Sequence, residues 1–123
     1  MKPLMILAAL AALAAPTNLT AEEWWQGNWA FDPEWCAEAD NIGSVTPAPI
    51  AITETEMLGY EMSCGITFAQ ELYSVGATHL KLECESEGST FEEERVVMRT
   101  DETGLAVWIW FGTGDPILFQ RCE

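Results

Sequence analysis

Few side chains in this sequence could act as nucleophiles or general bases. His79 is the single histidine among 123 residues, and no Gly-x-Ser-x-Gly elbow accompanies it. The four cysteines, Cys36, Cys64, Cys84 and Cys122, include no Cys-x-x-Cys pair, which argues against a zinc site. The 20 acidic residues could include paired carboxylates, but a domain of about a hundred residues offers little room for a glycosidase cleft. The sequence therefore predicts a protein that is not an enzyme and that uses no metal or cofactor.

Aromatic side chains are better candidates for binding. The apolar run at 105–111 can be assigned in two ways, because both faces of a strand there would be apolar. One assignment fills the core with Val107, Ile109 and Phe111. Trp108 and Trp110 then lie together on the outer face, where an exposed aromatic pair could anchor a partner. The opposite assignment makes the two tryptophans part of the core or of a small internal pocket.

Two further tryptophans, Trp24 and Trp25, lie close to the start of the predicted mature chain. A free N-terminal arm that carries them could insert into a partner's cleft. Alternatively, the arm packs across one end of the fold. The sequence leaves both alternatives open, and all four tryptophans stand as candidate binding residues.

The first 21 residues are typical of a secretory signal peptide. Lys2 supplies the positive start, residues 4–15 form an apolar run too short to span a bilayer, and small residues follow. We therefore expect residues 1–21 to be cleaved and residues 22–123 to form a single disulfide-stabilised β domain. The mature protein is expected in the periplasm or outside the cell, with no membrane attachment after cleavage.

The charge balance is strongly acidic. The chain has 5 basic and 20 acidic residues, a formal net charge of -15. Such a chain repels nucleic acid and anionic lipid, and it attracts a basic protein partner over distance. The alternative interpretation is that the acidity only keeps an exported protein soluble.

The cysteines predict two disulfides, because an even number in an exported chain indicates a disulfide framework. Three pairings are possible. We expect Cys36 to bond Cys64, which would attach an N-terminal helix to a strand. Cys84 would then bond Cys122 and tie the last strand into the sheet.

Strand patterns dominate the chain after a short helix signal, in which Asp32 serves as N-cap and Pro33 occupies the first position. Alternation predicts one long strand over 57–72. It also predicts a hairpin over 79–99 that places Leu82 beside Val96, with the acidic run 92–94 as a solvated strand end. The predicted fold is all-β and mainly antiparallel: a small six- to eight-stranded meander barrel or curled sheet with one short N-terminal helix.

Gly27-Asn28-Trp29 in the first strand, together with Arg121 in the last, resembles the structural signature of the lipocalin-like (calycin-type) barrels. The resemblance implies that Trp29 closes the base of a barrel and that Arg121 packs over it. The chain is also similar to small bacterial secreted metalloprotease inhibitors, which share the signal peptide, the Gly-x-Trp start and cysteines at the places of Cys36 and Cys64. Its second half resembles bacterial lysozyme inhibitors through residues 84–88 and the terminal cysteine.

These features predict a small exported binding protein, in its sharpest form a stoichiometric inhibitor of a protease or another hydrolase. One alternative is a carrier that holds a small apolar ligand inside the barrel. Another is a structural or assembly protein of the periplasm.

Overall fold

Eight antiparallel strands close into one barrel in the computed structural model, which describes residues 22–123. Each strand pairs with its neighbours in the sequence, and the last pairs with the first. The predicted all-β meander is confirmed, as a closed barrel with eight strands. The strands are β1 Gly27–Ala30, β2 Ile50–Ile52, β3 Glu56–Gly59, β4 Met62–Leu72, β5 Ala77–Ser86, β6 Ser89–Arg99, β7 Ala106–Trp110 and β8 Ile117–Arg121.

The predicted signal peptide, residues 1–21, lies outside the described residues. Within residues 22–123, no helix has both the length and the apolar character that crossing a membrane requires.

Two 3₁₀ helices interrupt the strands, Pro33–Asn41 and Tyr73–Val75. The first begins where the sequence predicts a helix: the side chain of Asp32 accepts a hydrogen bond from the backbone N–H of Glu34 at 2.9 Å. Pro33 occupies the first turn, where its missing N–H leaves no bond unmade. This helix follows β1 directly and packs beside it.

The barrel interior is filled with side chains. Because alternate residues of a strand point to opposite faces, each strand sends every second side chain into the centre. The eight largest side chains that are completely buried are Trp29, Ile52, Met57, Leu80, Leu82, Val97, Val107 and Ile109. Burial of their apolar surface is the main favourable contribution to folding.

The prediction of one strand over 57–72 is wrong. The chain reverses after β3 at a two-residue turn, Tyr60 and Glu61, and β4 returns along β3 so that Met57 pairs with Cys64. Glu61 takes the left-handed conformation with φ 49°. The sequence hides this turn because a glutamate rarely adopts such a conformation.

The predicted register of the β5–β6 hairpin is also wrong. Glu87 and Gly88 form a two-residue turn with positive φ at both positions, as the tight hairpin turns that match strand twist require. Leu82 therefore pairs with Glu93 rather than with Val96. A shift of three residues exchanges the two faces of β6, because the side-chain period is two. Arg95 consequently faces the interior.

The expected disulfide pairing is wrong as well. The bonds are Cys36–Cys122 and Cys64–Cys84. Cys64 and Cys84 occupy directly paired positions on β4 and β5, and both face the interior at 1% exposure. The hairpin thus brings these two together, and the remaining bond ties the 3₁₀ helix to the end of β8. Two such bonds indicate an oxidising compartment.

The two disulfides should differ in their contribution to stability. A cross-link stabilises mainly by restricting the unfolded chain, more so for a longer loop, and the separations are 86 and 20 residues. We expect Cys36→Ala/Cys122→Ala to lower the free energy of unfolding by about 4.5 kcal/mol through loop entropy alone, against about 3 kcal/mol for the other bond. Urea unfolding of the Cys36→Ala/Cys122→Ala variant, compared with wild type, checks the larger value. Retention of wild-type stability would contradict it.

Candidate functional site

Arg121 joins the end of β8 to the segment that precedes β1. Its guanidinium lies 4.3 Å from the centre of the Trp29 ring, measured from Cζ. It donates hydrogen bonds to the carbonyls of Gly104, Gln26 and Trp24 at 2.7, 2.9 and 2.7 Å. Short bonds from an ionised donor are among the stronger ones in proteins. Arg121 therefore fixes the N-terminal segment across this end of the barrel.

Gly27 makes room for that guanidinium. A Cβ at this position would collide with Nη1 of Arg121, and φ is +141°, a conformation that side chains rarely adopt. Gly27 and Trp29 thus both lie against the guanidinium of Arg121. Their position indicates a structural role.

Replacement of Gly27 should test this close approach. We expect Gly27→Ala to lower the free energy of unfolding by about 2 kcal/mol, because backbone strain of this kind costs roughly 1–3 kcal/mol and Arg121 must also shift. Gly65→Ala is the matched control, since a Cβ there meets nothing within 4 Å. Urea unfolding of both variants gives the comparison, and equal stabilities would contradict the proposed contact.

The two N-terminal tryptophans, Trp24 and Trp25, pack against the barrel. The N-terminal arm is therefore packed across one end of the fold and is not free. Trp25 is 4% exposed; its indole donates to the Glu71 carboxylate at 3.3 Å, and its carbonyl accepts from the Trp29 indole at 3.0 Å. Trp24 is half-buried beneath the guanidinium of Arg99, 5.1 Å from the ring centre. Neither side chain extends freely into solvent.

Two carboxyl groups meet at this end of the barrel. Glu71 raises the pKa of Glu23 above its ordinary value of 4.5, chiefly through a hydrogen bond between the two side chains and also through repulsion of like charges. A hydrogen bond between two carboxyl groups needs one proton between them. Protonation of Glu23 therefore favours the docked N-terminal segment.

This pair predicts a pH dependence. A group whose pKa is raised on folding stabilises the fold fully below its unfolded pKa, and that stabilisation is lost as pH rises through the folded pKa. Glu23→Gln keeps a hydrogen-bond donor at every pH. We expect the variant to match wild type at about pH 4 and to become the more stable protein as pH rises to 7.

Unfolding by urea across that pH range measures the difference. Glu22→Gln removes one charge from the neighbouring exposed residue and serves as the control. A constant difference between Glu23→Gln and wild type at all pH values would contradict the shared proton.

Trp108 and Trp110 lie on the outer face of the barrel. Val107 and Ile109 are completely buried, which directs Trp108 outward with 42% of its surface exposed. Trp110 is half-buried, and its indole donates to the carbonyl of Gly114 at 3.1 Å. Of the two assignments, the structure has the one that places Val107 and Ile109 in the core, with Phe111 partly buried against it.

Apolar side chains on the adjacent strands surround these tryptophans. Trp108 pairs with Met98 on β6 and with Leu118 on β8, while Trp110 pairs with Val96. Leu118 is 36% exposed. We call these five residues the outer apolar patch: Val96, Met98, Trp108, Trp110 and Leu118.

Acidic residues continue the same face toward the β5–β6 turn. Glu94 pairs with Lys81, and Glu83 pairs directly with Glu92. Like charges directly opposite each other destabilise a sheet. We call the exposed glutamates Glu83, Glu92 and Glu94 the acidic rows.

On the inner face of β6, the buried Arg95 forms an ion pair with the partly exposed Glu93, a pair that the sequence did not predict. The Nη1 atom of Arg95 lies 3.2 Å from Oε2 of Glu93 and also donates to the carbonyls of Glu94 and Phe111 at 2.7 and 3.3 Å. Arg95 is 5% exposed, and its guanidinium lies 4.8 Å from the centre of the Phe111 ring. At the predicted solvated strand end, Glu92 and Glu94 are exposed, and Glu93 keeps 36% of its side chain exposed while it pairs with Arg95. Strand alternation places Glu93 and Arg95 on one face of β6 in any register, and only the true register shows that this is the inner face.

Glu93 and Phe111 also line an open pocket of about 600 Å³ between the β5–β6 pair and the β7–β8 turn. The glutamates Glu83, Glu92 and Glu94 contribute to the same lining. Its chemistry is mostly acidic and polar, unlike the apolar entrance expected of a carrier for apolar ligands.

His79 lies half-buried on β5, with Nε2 3.7 Å from the Glu94 carboxylate. The Phe68 ring contacts the His79 ring edge to face, with 5.9 Å between the ring centres. Among residues 22–123, no group of three or more His, Cys, Asp or Glu side chains is arranged to hold a metal ion. All four cysteines are bonded in disulfides, so none offers a thiolate.

Comparison of the chain with protein-family models, with curated proteins and with solved structures finds no match.

Proposed function

We propose that this chain is an exported binding protein that forms a stoichiometric complex with a basic partner protein, in its sharpest form as an inhibitor of a hydrolase. The observation that carries the proposal is the outward position of Trp108 among apolar neighbours on a barrel whose interior is filled. A large aromatic side chain that the core does not require is a typical anchor of a protein interface.

The filled interior favours this function over that of a carrier. Trp29, Leu80 and Ile109 are completely buried at the barrel centre, where a lipocalin-like carrier would hold its ligand. Near the pocket, Arg95 and Glu93 place charged groups where an apolar ligand would need apolar contacts. An apolar ligand would have to displace side chains that are already packed.

The charge of the chain supports a basic partner. With 20 acidic and 5 basic residues, the protein attracts a positively charged surface over distance and speeds its association. The disulfides support a periplasmic or secreted location.

Affinity capture and inhibition assays test the proposal. We expect the oxidised protein, residues 22–123, to retain a basic hydrolase from an extract of exported proteins at low salt. Raising the salt from 50 to 500 mM should weaken the complex on the order of tenfold, because screening removes the long-range attraction. The purified hydrolase should lose activity in proportion to added protein, with an end point at one molecule per enzyme.

The same extract passed over the reduced and unfolded chain is the control for nonspecific binding by an acidic polymer. Capture of the same proteins by the unfolded chain, or full hydrolase activity in the complex, would contradict inhibition. Recovery of a bound apolar molecule from the barrel would favour the carrier instead.

A further inference from the structure

We infer that the outer face of strands β5 to β8 is the docking surface and that its partner is a protein with lysines and arginines beside an apolar patch. The inference rests on the proposed function, since it locates the surface through which that function operates. It depends on two features that adjoin on one face: the outer apolar patch and the acidic rows.

The two features are continuous because β5, β6, β7 and β8 pair in chain order. On β6 the outward positions Glu92, Glu94, Val96 and Met98 follow one another at every second residue. Since a strand rises about 3.4 Å per residue, these four side chains span about 20 Å from the acidic to the apolar end. Four strands about 4.8 Å apart make the surface about 14 Å wide. That size suits the central anchor region of a protein interface, with further contacts around it.

Charge excludes two other occupants. In a twofold dimer the same patch meets itself, so the acidic rows would lie near their own copies on a chain of net charge -15. An anionic lipid surface would be repelled for the same reason. A basic protein experiences the opposite effect, because its cations reduce the repulsion between Glu83 and Glu92, which pair directly across the strands.

At the apolar end, the Trp110 side chain is held in place before a partner binds. The indole of Trp110 is held by the carbonyl of Gly114, and Trp108 lies between Met98 and Leu118 on the neighbouring strands. Side chains fixed before association lose less conformational freedom when a partner binds. We therefore assign the slow step of dissociation to the apolar end and the rapid, salt-sensitive encounter to the acidic rows.

The probe for this assignment is the hydrolase purified by affinity capture. Its association and dissociation rates are measured with each variant. Trp108→Ala/Leu118→Ala should raise the dissociation rate at least tenfold and change the association rate little. Glu83→Gln/Glu92→Gln should lower the association rate several-fold at low salt and reduce its salt dependence.

Matched controls remove the same chemistry elsewhere. Leu105→Ala shortens an apolar side chain that is 53% exposed, and Glu54→Gln/Glu102→Gln removes two exposed charges from other turns. Both should bind within about twofold of wild type, because surface changes outside an interface have little effect. Separate variants test the outer apolar patch and the acidic rows. A folding defect in one variant therefore leaves the other variant informative. Far-ultraviolet circular dichroism and urea unfolding identify such a defect.

The outcomes separate the inference from the proposed function. If all folded variants bind the captured hydrolase as wild type does, the docking surface lies elsewhere and the inference is wrong, although the protein still binds its partner. If the control variants weaken binding as much as the variants of the outer apolar patch and the acidic rows do, the attraction is not specific to this face. The assigned docking surface is then wrong. If the protein captures no basic partner at low salt, the proposed function fails and the inference fails with it.

Discussion

The guanidinium of Arg121 connects the last strand of the barrel to the segment that precedes the first. It stacks on Trp29 and donates to the carbonyls of Trp24 and Gln26, so the two ends of the described chain are held at one place. Because β1 also pairs with β8, closure of the sheet and fixation of the N-terminal segment depend on the same group. Gly27 permits this contact, because any side chain at that position would displace the guanidinium.

The small barrel closes around large buried side chains, and the proposed function depends on this arrangement. Trp25 and Trp29 occupy one end of the interior, and we therefore assign the proposed binding to the outer surface. On that surface, Trp108 has no role in the core, because Val107 and Ile109 fill it from the same strand. In the proposed complex, a positive partner surface would relieve the unfavourable pairing of Glu83 with Glu92 on neighbouring strands.

Local patterns in the sequence predicted the features that depend on few residues. The helix start at Asp32 follows from its cap and from the proline after it, and the outward position of Trp108 is one of the two assignments that strand alternation allows. The register of strands could not be predicted, because it depends on turns in which Glu61 and Glu87 take left-handed conformations that the sequence does not signal. The inward position of Arg95 depends on the register of β5 with β6, and the Cys64–Cys84 bond depends on the register of β4 with β5, so neither could be predicted.

The six tryptophans provide one measurement that tests the central claim, that recognition occurs on the outside of a filled barrel. Each indole N–H gives its own signal in a ¹⁵N-resolved NMR spectrum, and the signals can be assigned by single replacement. On titration with the hydrolase captured by the protein, we expect the signals of Trp108 and Trp110 to move or broaden first. Those of Trp25 and Trp29, inside the barrel, should keep their positions. Movement of the interior signals while the outer pair stays unchanged would contradict the account and place recognition inside the barrel.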